Sequence, residues 1–186
     1  MKYHQIIKQD TANGIGIRMS LFVSGCRLHC PKCHNRKGQD FDFGYDLTET
    51  VVQEIFDEFR NVPVYDGLSI LGGEPFEPEN LQGVADICVR FKKEFPGKSL
   101  WVYTGKTYEK LCYLVNTDTR LSEALRDVLR SVDVLVDGPF EVAQRSILLS
   151  YRGSANQRII DMDATRATGR LTELKLDVRH ADIKEI

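Results

Sequence analysis

Residues 17–36 read "IRMSLFVSGCRLHCPKCHNR" and join an apolar run to a loop that carries three cysteines. The opening part, residues 17–25, is mostly apolar and ends in Ser-Gly, which predicts a strand that stops where the loop begins. Cys26, Cys30 and Cys33 then follow with the spacing C-x3-C-x2-C. Pro31 lies among them and argues against a helix, because proline lacks the backbone N–H and clashes with the preceding turn. The stretch therefore predicts a strand followed by a cysteine loop.

Strand-like apolar runs alternate with helical patterns along most of the chain. Further strands are predicted at 67–75, 99–105 and 132–138, helices at 47–61 and 78–95, and a mostly helical region at 108–130. This alternation predicts an α/β fold with a mostly parallel sheet. A complete eightfold barrel takes about 250 residues, so a chain of 186 residues is expected to form an incomplete (β/α) barrel. After Asp161 the periodicity weakens, and a strand followed by a tail is expected.

Unusual residues follow the end of each predicted strand. Gly72, Gly73 and Glu74 follow the second strand, Thr104-Gly105 the third, and Asp137-Gly138 the fourth. The carboxyl ends of parallel strands meet at one edge of a sheet, where α/β proteins build their sites. The two glycines allow a backbone to approach a ligand closely, and the glutamate offers a carboxylate to a cation. We therefore expect these loops and the cysteine loop to form a single site.

Composition and charge exclude several classes of partner. The formal net charge is −2 and no lysine- or arginine-rich run is present, so no nucleic-acid partner is expected. The first ten residues lack the apolar core of a signal peptide, and no run reaches the length of a membrane span. A cytoplasmic protein with no membrane partner is expected. Its thiols would stay reduced there, and five cysteines is an odd number, so a disulfide framework is disfavoured.

Three interpretations of the cysteine triplet remain. Filling a core is disfavoured because Arg27, Lys32 and Arg36 make the segment polar. A zinc site could take His29 or His34 as its fourth ligand, but all candidate ligands then lie in one short segment. A four-iron cluster is completely ligated by four thiolates, so three would leave one iron open for a ligand. The residues favour the open cluster over the other two.

The cysteine spacing after a strand resembles the signature of the radical S-adenosylmethionine superfamily, whose fold is a partial or full (β/α) barrel. The "LGGEPF" segment at 71–76 is similar to the second motif of that superfamily. Several other segments resemble the activating enzymes of anaerobic ribonucleoside-triphosphate reductases: "MKYHQI", "NG-x-G-x-R" from residue 13, "LFVSGC", "VDVLVDGPFE" from residue 132 and "RGSANQRIID" from residue 152. The resemblance implies a radical SAM domain over 1–161 and a C-terminal extension of uncertain structure over 162–186.

This resemblance implies a [4Fe–4S] cluster whose metal ligands and catalytic residues are Cys26, Cys30 and Cys33. The open iron would bind the amino and carboxylate groups of S-adenosyl-L-methionine. One electron, from a donor such as flavodoxin or ferredoxin, would cleave that cofactor to methionine and a 5′-deoxyadenosyl radical. The radical would remove hydrogen from a glycine of the large reductase subunit, which is the implied partner.

The resemblance also implies roles for residues around the cluster. Glu74 would contact the methionine ammonium group, while residues 32–34 would line the other side of the cofactor. Lys32 stands where many superfamily members carry an aromatic residue, and Asp137 either faces the cofactor or only forms a turn. Asn156 and Gln157 either order the final strand or touch the partner. The expected cofactor-binding set is Lys32, Cys33, His34, Gly72, Gly73, Glu74 and Asp137.

Other functions compete with reductase activation. One is the activation of a different glycyl-radical enzyme, of the formate-lyase type. Another is a short radical enzyme that acts on a small molecule. The non-enzyme alternative is a zinc-stabilised binding module.

Overall fold

The computed structural model describes residues 1–176, which form one seven-stranded sheet and five α-helices. The strands are β1 (Lys2–Asp10), β2 (Arg18–Val23), β3 (Tyr45–Asp46), β4 (Gly67–Gly72), β5 (Ser99–Tyr103), β6 (Val134–Asp137) and β7 (Arg158–Asp161). The helices are α1 (Glu49–Asn61), α2 (Pro78–Glu94), α3 (Tyr108–Thr117), α4 (Ser122–Ser131) and α5 (Met162–Thr168). The strand order is β3-β1-β2-β4-β5-β6-β7.

The centre of the sheet is parallel and its borders are antiparallel. Strands β2, β4, β5 and β6 run parallel to one another, as the alternation of strands and helices predicts. β1 and β7 flank them in the antiparallel sense, and β3 pairs antiparallel with β1. A mixed α/β fold with a mostly parallel central sheet is thus confirmed. The sheet is open, because β3 and β7 occupy its two ends.

The two faces of the central strands are covered by different parts of the chain. One face packs against all five helices and holds the main core, which includes Leu21, Ile70 and Val102. On the opposite face, Trp101 belongs to a smaller apolar cluster with Tyr151 and residues of the described tail. Within residues 1–176, that second cluster contains no helical residue. Side chains alternate across a strand, and accordingly β5, β6 and β7 contribute to both clusters.

A buried arginine joins the amino-terminal ends of the central strands. Arg18 is fully buried, and its guanidinium donates to Ser69 Oγ at 2.6 Å, to the Leu68 carbonyl at 2.7 Å and to Ser99 Oγ at 2.8 Å. It also lies over the Trp101 ring, 5.3 Å from the ring centroid. Burial lowers the pKa of Arg18 to about 10. These bonds tie β2, β4 and β5 together at the sheet edge opposite the cysteine loop.

The segment after Asp161 differs from the strand that its sequence predicts. α5 begins at Met162, and the Asp161 side chain caps it by accepting from the Ala164 N–H at 2.9 Å. Acidic side chains at this position satisfy a free backbone donor of the first turn, which explains why the chain turns into a helix here. Residues 177–186 of the predicted extension lie outside the described residues.

None of the helices within residues 1–176 has both the length and the apolar composition of a membrane span.

Candidate active site

Loops from the carboxyl ends of the four parallel strands surround one cavity of about 680 Å³. Pockets for drug-sized ligands measure about 300–1,000 Å³, so its size suits a small molecule. The residues that line it come from the cysteine loop, from the loops after β4, β5 and β6, and from β1: among them Cys26, Cys30, Cys33, Gly72, Gly73, Glu74, Thr104, Gly105, Gly138, His4 and Gln5. The structure therefore brings the residues after the strand ends to one place.

The cysteine loop is closed by backbone hydrogen bonds at its base. The Gly25 N–H donates to the Gly38 carbonyl at 2.8 Å, and the Cys26 N–H donates to the Gln39 carbonyl at 3.0 Å. Within the loop, His29 and Lys32 have positive φ angles of 47° and 56°. Each of them directly precedes a cysteine, and such left-handed backbone is uncommon for residues other than glycine. The loop thus has a specific, tightly curved path instead of a helix.

The glycine pair after β4 lies directly against this loop. The Gly73 N–H donates to the Val23 carbonyl at 2.7 Å, and the Glu74 N–H donates to the Gly25 carbonyl at 2.8 Å. A Cβ atom on Gly73 would lie 2.5 Å from the Gly25 carbonyl oxygen and 2.8 Å from that of Gly38. The sequence predicts that these glycines allow the backbone to approach a ligand closely. At Gly73, the closely approaching atoms are instead backbone oxygens of the protein itself. Gly73 and its neighbour Gly72 also line the cavity.

Glu74 lines the cavity and is 0% exposed. Its carboxylate accepts hydrogen bonds from the Phe76 N–H at 2.9 Å, from Thr104 Oγ1 at 2.8 Å and from the Gly105 N–H at 2.8 Å. Burial raises the pKa of Glu74, while Lys106, whose Nζ lies 4.0 Å from the carboxylate, and the three donors act against that shift. The carboxylate thus joins the loops after β4 and β5. Its contact with an ammonium group stays a prediction.

An arginine in the cysteine loop fastens that loop to the start of α2. The Arg27 N–H donates to Glu77 Oε1 at 2.9 Å, and its guanidinium donates to Glu77 Oε2 at 3.0 Å and to both carboxylate oxygens of Glu79. The same guanidinium lies 4.2 Å from the centroid of the Phe41 ring. Hydrogen bonding to Arg27 lowers the pKa of Glu79 to about 2. Sequence reasoning missed this contact, although two acids at a helix start are a usable signal.

The three cysteines are free thiols that face the same cavity and are partly buried. Burial raises the pKa of Cys26 to about 11. Within residues 1–176, no group of three His, Cys, Asp or Glu side chains is arranged to hold a metal ion. In an iron–sulfur cluster, each thiolate can bind a different iron atom. Three thiols that line one cavity without surrounding a single point therefore suit a cluster better than a single metal ion. The donor set also suits it, since thiolates are the usual ligands of such clusters.

The remaining predicted residues lie at different distances from this cavity. His34 lines it, whereas Lys32 is exposed and His29 contacts Gln39 Oε1 at 3.4 Å. Asp137 is fully buried and directly precedes Gly138, which lines the cavity. Its carboxylate accepts from the Tyr108 N–H at 2.6 Å and from Arg158, whose Nε lies 2.9 Å away. Cofactor binding by Lys32 and Asp137 stays a prediction.

The lining residues at the β5, β6 and β7 end of the sheet, here called the far wall, are Tyr103, Gly138, Phe140 and Gln157. Gln157 Nε2 donates to the Gly138 carbonyl at 3.0 Å, and its Oε1 accepts from the Gly153 N–H at 2.8 Å. Asn156 Nδ2 adds a bond to the Pro139 carbonyl at 2.7 Å. The two amides therefore order the turn after β6. Sequence reasoning assigned no role to Tyr103, which ends β5, or to Phe140, which lies in the loop after β6, because a single aromatic residue is not a distinctive motif.

Comparison with known proteins matches nearly the whole of this site. Residues 12–160 match a family described as "4Fe-4S single cluster domain". The chain is 38% identical over 160 residues to the anaerobic ribonucleoside-triphosphate reductase-activating protein of Pasteurella multocida (strain Pm70), a match that covers 86% of this chain and 96% of the relative. This chain belongs to the family of anaerobic ribonucleoside-triphosphate reductase-activating proteins.

Relatives with lower identity match a similar share of this chain. The protein of that name from Escherichia coli (strain K12) is 34% identical over 158 residues, which cover 84% of this chain and 96% of the relative. The protein of that name from Enterobacteria phage T4 is 32% identical over 159 residues, covering 86% and 93%. The 4Fe-4S domain match contains the cysteine loop, the loops after β4 and β5, and the far wall.

Proposed function

We propose that this chain activates an anaerobic ribonucleoside-triphosphate reductase by forming a glycyl radical on the large reductase subunit. The observation that carries the proposal is that Cys26, Cys30 and Cys33 share one cavity with the loop containing Glu74. The family match to a 4Fe-4S domain supports the cluster. The names of the relatives support the reductase as the protein acted on.

The proposal extends to the fold. We assign the sheet to an incomplete (β/α) barrel of the radical SAM type, formed by residues 1–161, with 162–186 as an extension. Support comes from the four parallel strands, which carry helices on one face, and from the absence of helical residues in the described cluster on the other face. We further propose that an incomplete barrel is open at its side, where a large protein substrate can reach the cavity.

Within this proposal, each part of the chain has a binding or positioning role. The three cysteine thiolates would hold a [4Fe–4S] cluster and leave one iron open for S-adenosyl-L-methionine. When bound, the cluster supplies the electron that cleaves the cofactor to methionine and an adenosyl radical, which takes the Cα hydrogen of a glycine. Glu74 places a carboxylate beside the ammonium group, and opposite charges attract strongly in a buried site. Lys32, His34 and the Gly72-Gly73 pair border the cofactor.

Two further elements belong to the proposal. Asp137 holds the turn that presents Gly138 at the cofactor edge, because its carboxylate anchors both Tyr108 and Arg158. A flavodoxin or ferredoxin is the proposed electron donor, since the cluster needs one electron for each cleavage. A cytoplasmic setting is proposed because reducing conditions keep cysteines available as ligands.

The proposal is tested with protein that has been reconstituted with iron and sulfide under anaerobic conditions. We expect a brown protein that forms 5′-deoxyadenosine from S-adenosyl-L-methionine and reductant. Incubation with the large reductase subunit should then give a glycyl signal by electron paramagnetic resonance. Colourless protein with stoichiometric zinc and no deoxyadenosine would overturn the proposal. A glycyl signal on a formate-lyase-type enzyme but not on the reductase would replace the proposed partner.

A further inference from the structure

The cysteine loop carries a one-sided charge. Residues 26–39 contain four cationic side chains and no acidic one, although the whole chain has a formal net charge of −2. The cationic residues are Arg27, Lys32, Arg36 and Lys37. The acids that follow along the chain, Asp40 and Asp42, lie beyond the backbone bonds that close the base of the loop. The loop therefore adds a local positive charge to a protein that is weakly acidic as a whole.

Three of the four cations are not neutralised by the protein. Arg27 pairs with two acids at the start of α2. Lys32, Arg36 and Lys37 are exposed, and none of them forms an ion pair with a carboxylate of residues 1–176. Unpaired surface charges of one sign create a potential that attracts a partner of the opposite sign. The loop thus favours an acidic partner.

These unpaired cations lie next to the proposed cluster ligands. Lys32 directly precedes Cys33, and Arg36 follows Cys33 by three residues. An extended chain spans at most about 3.6 Å per residue, so the Cα atoms of Arg36 and Cys33 are separated by less than about 11 Å. Lys37 is the next residue along the chain. A partner held by these cations would therefore lie close to a cluster held by the cysteines, and a short separation is what electron transfer between proteins requires.

The loop also exposes apolar surface beside its charges. Leu28 is 37% exposed, and Pro31 is exposed and does not line the cavity. Protein interfaces combine apolar contacts with a polar rim, and complementary charge steers the encounter and selects the partner. A small anion would need the cations alone. The combination of exposed apolar residues with three unpaired cations fits a protein partner that has an acidic surface.

We propose that Lys32, Arg36 and Lys37 form the docking surface for an acidic electron-carrier protein that reduces the cluster. In each transfer the carrier loses one electron and the cluster gains it, and no bond is formed or broken. Interfaces between electron-transfer partners are small, under about 1,200 Å² in total, so a single exposed loop can supply much of one side. The inference rests on the proposed function and deepens it by naming where the electron donor binds.

The test reverses two of these charges in the Arg36→Glu/Lys37→Glu variant of the full-length protein, reconstituted with iron and sulfide. An acidic flavodoxin is the probe, and isothermal titration calorimetry at low ionic strength gives its Kd. Deoxyadenosine formation is driven either by reduced flavodoxin or by reduced methyl viologen, a small cationic reductant. Electrostatic steering accelerates association about 10-fold to 1,000-fold. We therefore expect the Kd and the KM for flavodoxin to rise at least about tenfold, and the flavodoxin-driven rate to fall about tenfold more than the viologen-driven rate.

Two control variants and a salt series separate local charge from other effects. The Lys93→Glu/Arg130→Glu variant makes the same charge change in the last turns of α2 and α4, which lead to the opposite edge of the sheet. The Arg36→Lys/Lys37→Arg variant keeps both charges. Both controls should bind flavodoxin like the wild type. Raising the ionic strength from about 0.01 M to about 0.15 M shortens the Debye length from about 30 Å to about 8 Å, and this should weaken flavodoxin binding more in the wild type than in the Arg36→Glu/Lys37→Glu variant.

Each result supports or overturns the docking surface. An unchanged Kd and KM for flavodoxin in Arg36→Glu/Lys37→Glu, or an equal loss in Lys93→Glu/Arg130→Glu, overturns it. It is also overturned if viologen-driven turnover falls as much as flavodoxin-driven turnover, since the cations would then serve the cofactor in the cavity, which Arg36 and Lys37 border. A higher KM for the reductase with unchanged flavodoxin binding would assign the loop to the reductase and overturn the proposal as well. Wild-type protein that forms no deoxyadenosine with methyl viologen contradicts the proposed function instead.

Discussion

The two walls of the cavity are held in place by different parts of the chain. Backbone bonds, together with the Arg27 side chain, hold the cysteine wall, and Gly73 lies so close to the carbonyls of Gly25 and Gly38 that no side chain fits there. Side-chain amides fix the far wall, where Asn156 and Gln157 hold the turn after β6. The first wall therefore depends on glycine and on the central sheet. The second depends on the side chains of Asn156 and Gln157, which lie outside the strands.

Among the substitutions that test the two walls, removing a cysteine of the cysteine wall should have the largest effect. Changing a residue that supports a metal ligand lowers metal affinity or activity about 10–100-fold. Removing a ligand itself should do more, so Cys26→Ala, Cys30→Ala or Cys33→Ala should each lower deoxyadenosine formation by more than about a hundredfold. Iron content and deoxyadenosine yield measure the loss. Cys88→Ala is the control, since Cys88 is buried in the helix-packed core away from the cavity. Native turnover in any of the three loop variants would rule out the cluster assignment.

A methyl group at Gly73 should damage the cysteine wall next most strongly. The added Cβ would meet two backbone oxygens that cannot rotate away. Overpacking costs about 1–3 kcal/mol and sometimes more, so we expect Gly73→Ala to lower the free energy of unfolding by at least about 3 kcal/mol. Urea denaturation of the metal-free protein measures it. Gly97→Ala is the control because no atom lies within 4 Å of its added Cβ; similar losses in both variants would contradict the backbone-contact explanation.

Removing the amide of Gln157 should loosen only the far wall. Its loss leaves the Gly153 and Ser154 N–H groups without their acceptor. Unsatisfied buried groups cost about 1–3 kcal/mol, so Gln157→Ala should destabilise the protein by about 2 kcal/mol and leave iron binding intact. Gln144→Ala in the same loop removes an exposed glutamine and should change stability by less than about 0.5 kcal/mol. A loss of iron from Gln157→Ala would mean that the two walls are coupled.

The smallest effect concerns the ion pair behind the far wall. Arg158 Nη2 lies 2.8 Å from Glu109 Oε2, and hydrogen bonding to Arg158 lowers the pKa of Glu109 to about 2. Because the pKa of Glu109 is lower in the folded protein than its unfolded value near 4.5, the ion pair stabilises the protein fully above about pH 4.5. This stabilisation is lost as the pH falls toward 2. Because the Glu109 side chain is 62% exposed, the contribution should be under about 1 kcal/mol.

The Glu109→Gln variant measures the contribution of this ion pair to the free energy of unfolding. Its destabilisation at pH 7 should shrink between about pH 5 and pH 2. A difference from the wild type that stays constant over this range would show that the pair contributes through packing and not through charge. Thermal or urea unfolding across the pH series gives the result.

Much of the central sheet follows from periodic patterns. The strands β2, β4, β5 and β6 and the helices α1 and α2 lie where their apolar periodicity predicts them. β1 was missed because its sequence, "KYHQIIKQD", alternates poorly and most of it is only half-buried. α5 was missed because a short helix depends on its cap and on packing against the core, which a weak pattern does not reveal.

The sequence by itself determined the chemistry of this protein: three thiols at a fixed spacing, and a glycine-rich acidic turn after the next strand of the parallel sheet. These are local properties, since spacing and residue type do not depend on distant partners. The tertiary structure alone decided that Gly73 lies under the cysteine loop, that Glu74 binds the turn after β5, and that Gln157 holds the turn after β6. Such contacts join residues far apart in the chain, and they arise from strand order and register, which no local pattern encodes.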